Sequence, residues 1–96
     1  MLTGKQKRYL RGEASLLKPA AYIGKEGLTD EVLKEIETGL KANELIKLRV
    51  GNNAPVSARE ASTELALGAR CEVIQVIGHN IVLFRMKSKE SKFKLP

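Results

Sequence analysis

Apolar positions along this 96-residue chain recur with two alternating periods, and each change of period marks an element. Thr3 and Gln6 have the spacing of a capping box, and beyond them Leu10, Ala14 and Leu17 recur at helical spacing until the Lys18-Pro19 step stops the run. Ala20 to Ile23 is short, apolar and followed by glycine, which reads as a strand. A second helix is predicted from Thr29 as N-cap, with Asp30 and Glu31 at its positive dipole end. Val32, Leu33, Ile36 and Leu40 supply its buried stripe, and Asn43 closes it in a left-handed conformation.

The segment ELIKLRV alternates Ile46, Leu48 and Val50 with Lys47 and Arg49, the signature of a strand with one covered and one wetter face. GNNAP is then a turn. Ser57 and Glu60 form a second capping box for a helix running through Leu67, with Ala61 and Leu65 apolar and Gly68 marking its end. CEVIQVI and IVLFRM are two β-rich runs joined by Gly78-His79-Asn80, a hairpin. The order α-β-α-β-α-β-β predicts an α/β domain: a mixed four-stranded sheet packed with three helices, because interleaved strands favour crossovers while the last two must pair antiparallel. No repeat or Pro/Gly/Ser linker divides the chain, so 1–86 reads as one domain and 87–96 as a basic tail.

Composition narrows the function more than the fold. Hydrophobic residues at 43% and charged residues at 29% are ordinary globular usage, against a disordered or disulfide-dense chain. No apolar run approaches the ~20 residues that span a bilayer, and the basic start is not followed by a signal-type apolar segment, so a cytoplasmic protein without a membrane partner is expected. The net charge is +6, and its distribution is uneven. Lys5, Lys7, Arg8, Arg11, Lys18 and Lys25 face only Glu13 in the first stretch, and Lys87, Lys89, Lys92 and Lys94 face only Glu90 in the last, while the middle is slightly acidic. Two cationic ends suit a polyanionic partner. On the predicted first helix Lys7, Arg11 and Lys18 stack on one side, with Arg8 beside them.

Catalytic and metal chemistry find little support. His79 falls in a hairpin turn without a local cysteine or carboxylate partner, and one Cys with one His cannot build a closed zinc site. Cys71 reads as a small hydrophobe, and Glu31, Glu35 and Glu37 as a solvated face. No enzyme activity, metal or other cofactor is expected. The chemistry-bearing stretch is GKEG, Gly24 to Gly27. Two glycines let the main chain approach a sugar-phosphate strand, main-chain N–H groups donate to phosphate, the next helix offers its positive end, and Lys25 adds a cation that Glu26 opposes. The plainer reading is a turn that needs glycine for positive φ. With Tyr9, Tyr22, Phe84 and Phe93 as the aromatic residues, backbone contact is expected to dominate over stacking.

The runs LTGKQKRYLR, LLKPAAYIGKEGLTDEV, ELIKLR and GHNIVLFR closely resemble, in order and spacing, the CRM domain, the YhbY-type RNA-binding family, over about residues 2–86. The resemblance implies a fold similar to the C-terminal domain of bacterial translation initiation factor three and a GxxG loop similar to that of KH domains. Stand-alone bacterial members are associated with large-subunit ribosomal precursors, and plant organellar relatives use several copies in group II intron splicing. Carried over, the resemblance makes Gly24, Lys25, Glu26 and Gly27 the RNA-approaching loop and Lys5, Lys7, Arg8, Arg11 and Lys18 the adjoining basic surface. Arg85 matches a family basic position that is equally open to a structural role. Ser15 stands where relatives often carry histidine, and Glu26 makes this loop less cationic. The implied protein is a monomer that docks on ribosomal RNA or large-subunit precursor particles. Two other readings are a protein-interaction module using the acidic face of the second helix, and a nonspecific DNA or anionic-surface binder.

Overall fold

The computed structural model describes residues 2–86; the basic tail lies outside the described residues. The elements follow the expected order: α1 (Gly4–Ala14), β1 (Ala21–Ile23), α2 (Asp30–Asn43), β2 (Leu45–Val50), α3 (Ala58–Gly68), β3 (Glu72–Ile77) and β4 (Asn80–Phe84). The sheet order is β1-β2-β4-β3, with β1 parallel to β2 and β4 antiparallel to both its neighbours. The last strand thus fills the gap that the β2-α3-β3 crossover leaves open.

Both capping boxes form. The Thr3 N–H donates to Gln6 Oε1 at 2.9 Å and the Gln6 N–H to Thr3 Oγ1 at 3.1 Å, with the same pairing between Ser57 and Glu60. Each box satisfies amides that the first helical turn leaves unpaired. The Ser57 amide holds the Glu60 carboxyl below its ordinary range.

Two apolar layers sandwich the sheet. On one face α2 and α3 bury Ile36, Leu40, Ala61 and Leu65 against Ile23, Ile46, Leu48, Val50, Ile81 and Leu83. On the other, α1 sets Leu10 and Ala14 onto Leu45, Ile74, Val82 and Phe84. Strand β3 changes phase on the way: a bulge between Val73 and Gln75 turns both Val73 and Val76 toward the α2/α3 layer, leaving Ile74 for α1.

The structure corrects three local expectations. Helix α1 ends at Ala14, before the Lys18-Pro19 step, because the Ser15 hydroxyl donates to the Gly12 carbonyl at 2.7 Å and the amides of Leu16 and Leu17 donate to the carbonyls three residues back. Leu17 and Lys18 consequently leave the helix and are exposed. Leu33 is 40% exposed instead of buried, since the covered stripe of α2 runs through Ile36 and Leu40 with Val32 half-buried. Asn43 stays helical, and Glu44 takes the positive φ of 65° that turns α2 directly into β2. Helix α3 ends at Gly68 as expected, and the positive φ that follows falls on Arg70, at 51°. Gly78, with φ 56°, occupies the first central position of the β3-β4 turn, as a type II′ hairpin requires.

Candidate nucleic-acid interface

Strand β1 ends into the GKEG turn, whose two glycines serve different needs. The Gly27 N–H donates to the Gly24 carbonyl at 3.0 Å and Gly27 takes φ +74°, with Pro55 packed where a Cβ would stand. That matches the plain turn reading. Gly24 has no such φ; a Cβ there would sit 3.3 Å from the Tyr22 ring, so this glycine makes room for an aromatic side chain. Lys25 and Glu26 form the exposed tip, and their amides donate to no acceptor among the described residues. Thr29 follows as N-cap, accepting the Val32 N–H at 3.2 Å, so the tip stands beside the positive end of α2.

Helix α1 lies on the opposite face of the sheet from α2 and covers only half of that face. Its Gln6 lines a groove with Phe84, Arg85 and Met86, and its Glu13 lines another with Asn43, Leu45 and Ile46. Leu45 and Phe84 are register partners at one end of the sheet. The GKEG turn leaves the other end, about 20 Å away for a six-residue strand. At 100° per residue, Leu10 and Ala14 separate Gln6 and Glu13 on one side of α1 from Lys7 and Arg11 on the other. Partly buried Lys7 and Arg11 therefore flank the bare half of the face, while Lys5 and Arg8 point outward and are exposed.

What lies between helix and loop is a strip of sheet that sequence reasoning did not single out. Tyr22 pairs with Arg49, Arg49 with Asn80 and Asn80 with Ile77, all on the face that α1 leaves uncovered, with Lys47 one pleat closer to the helix. The alternation in ELIKLRV had put Lys47 and Arg49 together on the wetter face. Which helix would spare them was not in the pattern. Among the described residues none of Lys5, Lys7, Arg8, Arg11, Lys25, Lys47 and Arg49 joins an ion pair.

The model of the CRS1 / YhbY (CRM) domain matches residues 2–85. The chain belongs to the CRM domain family. It is 40% identical to the Bacillus subtilis protein named Probable RNA-binding protein YqeI, with both chains covered completely. It is 38% identical to a Haemophilus influenzae protein named RNA-binding protein, covering 99% of this chain and 95% of that one. The solution structure of a Staphylococcus aureus protein, put forward as RNA binding, superposes with a TM-score of 0.83 at 41% identity over all of both chains.

Two basic residues that the resemblance singled out take separate places in this CRM domain. Lys18 lies on the α1-β1 link, beside Leu16, Leu17 and Asn43, at the end of the sheet away from the loop. Arg85 is turned to the α2/α3 side. Its Nη1 and Nη2 donate to the Glu37 carboxylate at 2.7 and 2.8 Å, Nη2 also donates to the Ala69 carbonyl, and Nε donates to the Arg70 carbonyl at 3.4 Å. One guanidinium thus ties α2 to the open C-terminal end of α3. The bidentate bond holds the Glu37 carboxyl below its ordinary range and raises Arg85 further, so Glu37 is part of a tie and not of a free acidic face. Cys71 is half-buried, and that burial pushes its thiol up, away from a reactive thiolate.

Proposed function

We propose that this CRM domain binds RNA through the GKEG turn and the cations that border the bare half of the sheet, without catalysing a reaction. The observation that carries the reading is the turn itself: an exposed lysine and two undonated amides at the N-terminal end of α2, on a chain whose net charge is +6. RNA-binding names among full-length relatives support it. Lys25 and the turn amides take phosphates at one end, and Lys7, Arg8, Arg11 and Lys5 take them at the other, with Glu26 tempering the loop. Arg85 is left to the fold, and Lys18 lies outside the track. The RNA is ribosomal, and the protein acts as a monomer on large-subunit precursor particles in the cytoplasm.

Fluorescence anisotropy with labelled RNA at rising salt tests the reading. About five neutralised phosphates at a slope near −0.7 each predict roughly a hundredfold weakening for a fourfold rise in salt. Arg8→Glu combined with Lys25→Glu removes most of the low-salt affinity while the melting temperature holds, since both side chains are exposed. A flat salt response, or unchanged affinity in the double variant, overturns it. Crosslinking in growing cells followed by sequencing of attached RNA checks the ribosomal assignment, which an absence of ribosomal fragments removes.

A further inference from the structure

Tyr22 is the middle residue of a three-residue strand whose neighbours Ala21 and Ile23 are buried, and its own side chain is 55% exposed on the other face. An exposed strand tyrosine alone means little. Its seat is what distinguishes it. A Cβ on Gly24 would lie 3.3 Å from Tyr22 Cε2, and a Cβ on Gly51 would lie 2.0 Å from the Tyr22 hydroxyl oxygen and 2.7 Å from Cζ. The ring is therefore laid over the backbone of two glycines at the ends of β1 and β2, strands joined there by the Gly51 N–H donating to the Ile23 carbonyl at 2.9 Å. Glycine at both places lets the Cδ2–Cε2 edge and the hydroxyl end of the ring lie against main chain while the residue stays more than half exposed.

Cations frame this ring. Arg49 is its register partner on β2, and Lys25 stands three residues along the chain at the exposed tip of the turn. An exposed, firmly seated aromatic ring beside cations suits a flat, electron-rich group attached to an anionic backbone better than it suits an apolar peptide. We propose that Tyr22 is a stacking platform for one unpaired base of the RNA whose backbone lies on the GKEG turn, with Arg49 holding the adjacent phosphate. This deepens the function proposed above and rests on it. It also assigns Gly24 a second role, since the first glycine of the turn seats the base-binding ring.

Anisotropy titrations of single-stranded and fully duplex RNA of equal length test the platform, with circular dichroism confirming the fold of each variant. Tyr22→Phe keeps the ring and binds single strands within about twofold of the parent protein. Tyr22→Leu binds them about 5- to 100-fold more weakly, the range of one lost base stack, with an unchanged salt slope and unchanged duplex affinity. Gly51→Ala pushes the ring off its seat, weakening single-strand binding in the parent protein and having no effect in the Tyr22→Leu background. Single-strand affinity that survives Tyr22→Leu overturns the platform while leaving RNA binding intact. Equal losses in Tyr22→Phe and Tyr22→Leu also overturn it, in favour of a hydroxyl contact. If the parent protein binds neither RNA but sediments with anionic vesicles, both this proposal and the function beneath it fall.

Discussion

The two faces of the sheet treat their charges in opposite ways. On the α2/α3 face Arg85 is fastened to Glu37 and to the carbonyls of Ala69 and Arg70 just past α3, and Lys41 approaches the same carboxylate at 3.9 Å. On the α1 face Lys7, Arg11, Lys47 and Arg49 border a half-covered surface, without ion pairs among the described residues. The covering layers differ accordingly. Two helices bury a continuous apolar cluster on one side, and one short helix covers the sheet only at the Leu45-Phe84 end on the other. A cation matched inside the fold stabilises it and is lost to partners, whereas unmatched cations repel one another slightly and remain available to a polyanion. The contrast between Arg85 and Arg49 shows why counting basic residues does not locate a binding surface.

The strongest way to break this contrast is in the larger core. Leu83→Ala, fully buried against α2 and α3, is expected to cost about 3 kcal/mol of unfolding free energy in urea titrations, with RNA affinity of the remaining folded protein unchanged. Next, Arg85→Met should cost about 2 kcal/mol, discounted for the partial exposure of the pair, and leave RNA binding alone. A loss of RNA affinity without a loss of stability would move Arg85 to the interface side. Arg49→Ala should show the reverse: stability within about 0.5 kcal/mol, single-strand affinity reduced several-fold and the salt slope shallower by about 0.7. Glu26→Gln should strengthen binding about two- to fivefold by removing the opposing charge at the turn tip.

The smallest effect is in acid. Glu37 is held below its ordinary value of 4.5, chiefly by hydrogen bonding to Arg85, so the folded state binds its proton less readily than the unfolded chain. Its contribution is present above the ordinary carboxylate range and is lost as pH falls through and below it. Thermal melts from pH 7 down to pH 3 should therefore show a shallower acid decline for Glu37→Gln than for the parent protein.

Much of this molecule is written in local pattern. The two capping boxes, the seven elements in order, the alternation of ELIKLRV and the hairpin at Gly78 depend on interactions within a few residues, which spacing and turn chemistry report directly. The GKEG turn was legible too, although its glycines looked alike and are not: Gly27 answers a backbone angle and Gly24 an aromatic ring two residues away. Apart from the early end of α1, which Ser15 and Gly12 set locally, the pattern failed where distant segments meet. Glu44 carries the positive φ where Asn43 was expected to, because it presents its carbonyl to the Arg85 amide at 2.9 Å, and a further positive φ at Arg70, past the expected end at Gly68, brings the end of α3 to the Arg85 guanidinium. The bulge in β3 reset which valines face the larger core. Most consequentially, period-two alternation says that Tyr22, Lys47 and Arg49 share a side of a strand, but not whether a helix will cover that side. Only the packing of α1 at one end of the sheet decided that, since a helix is placed by the apolar surface it must bury and not by the charges it leaves bare.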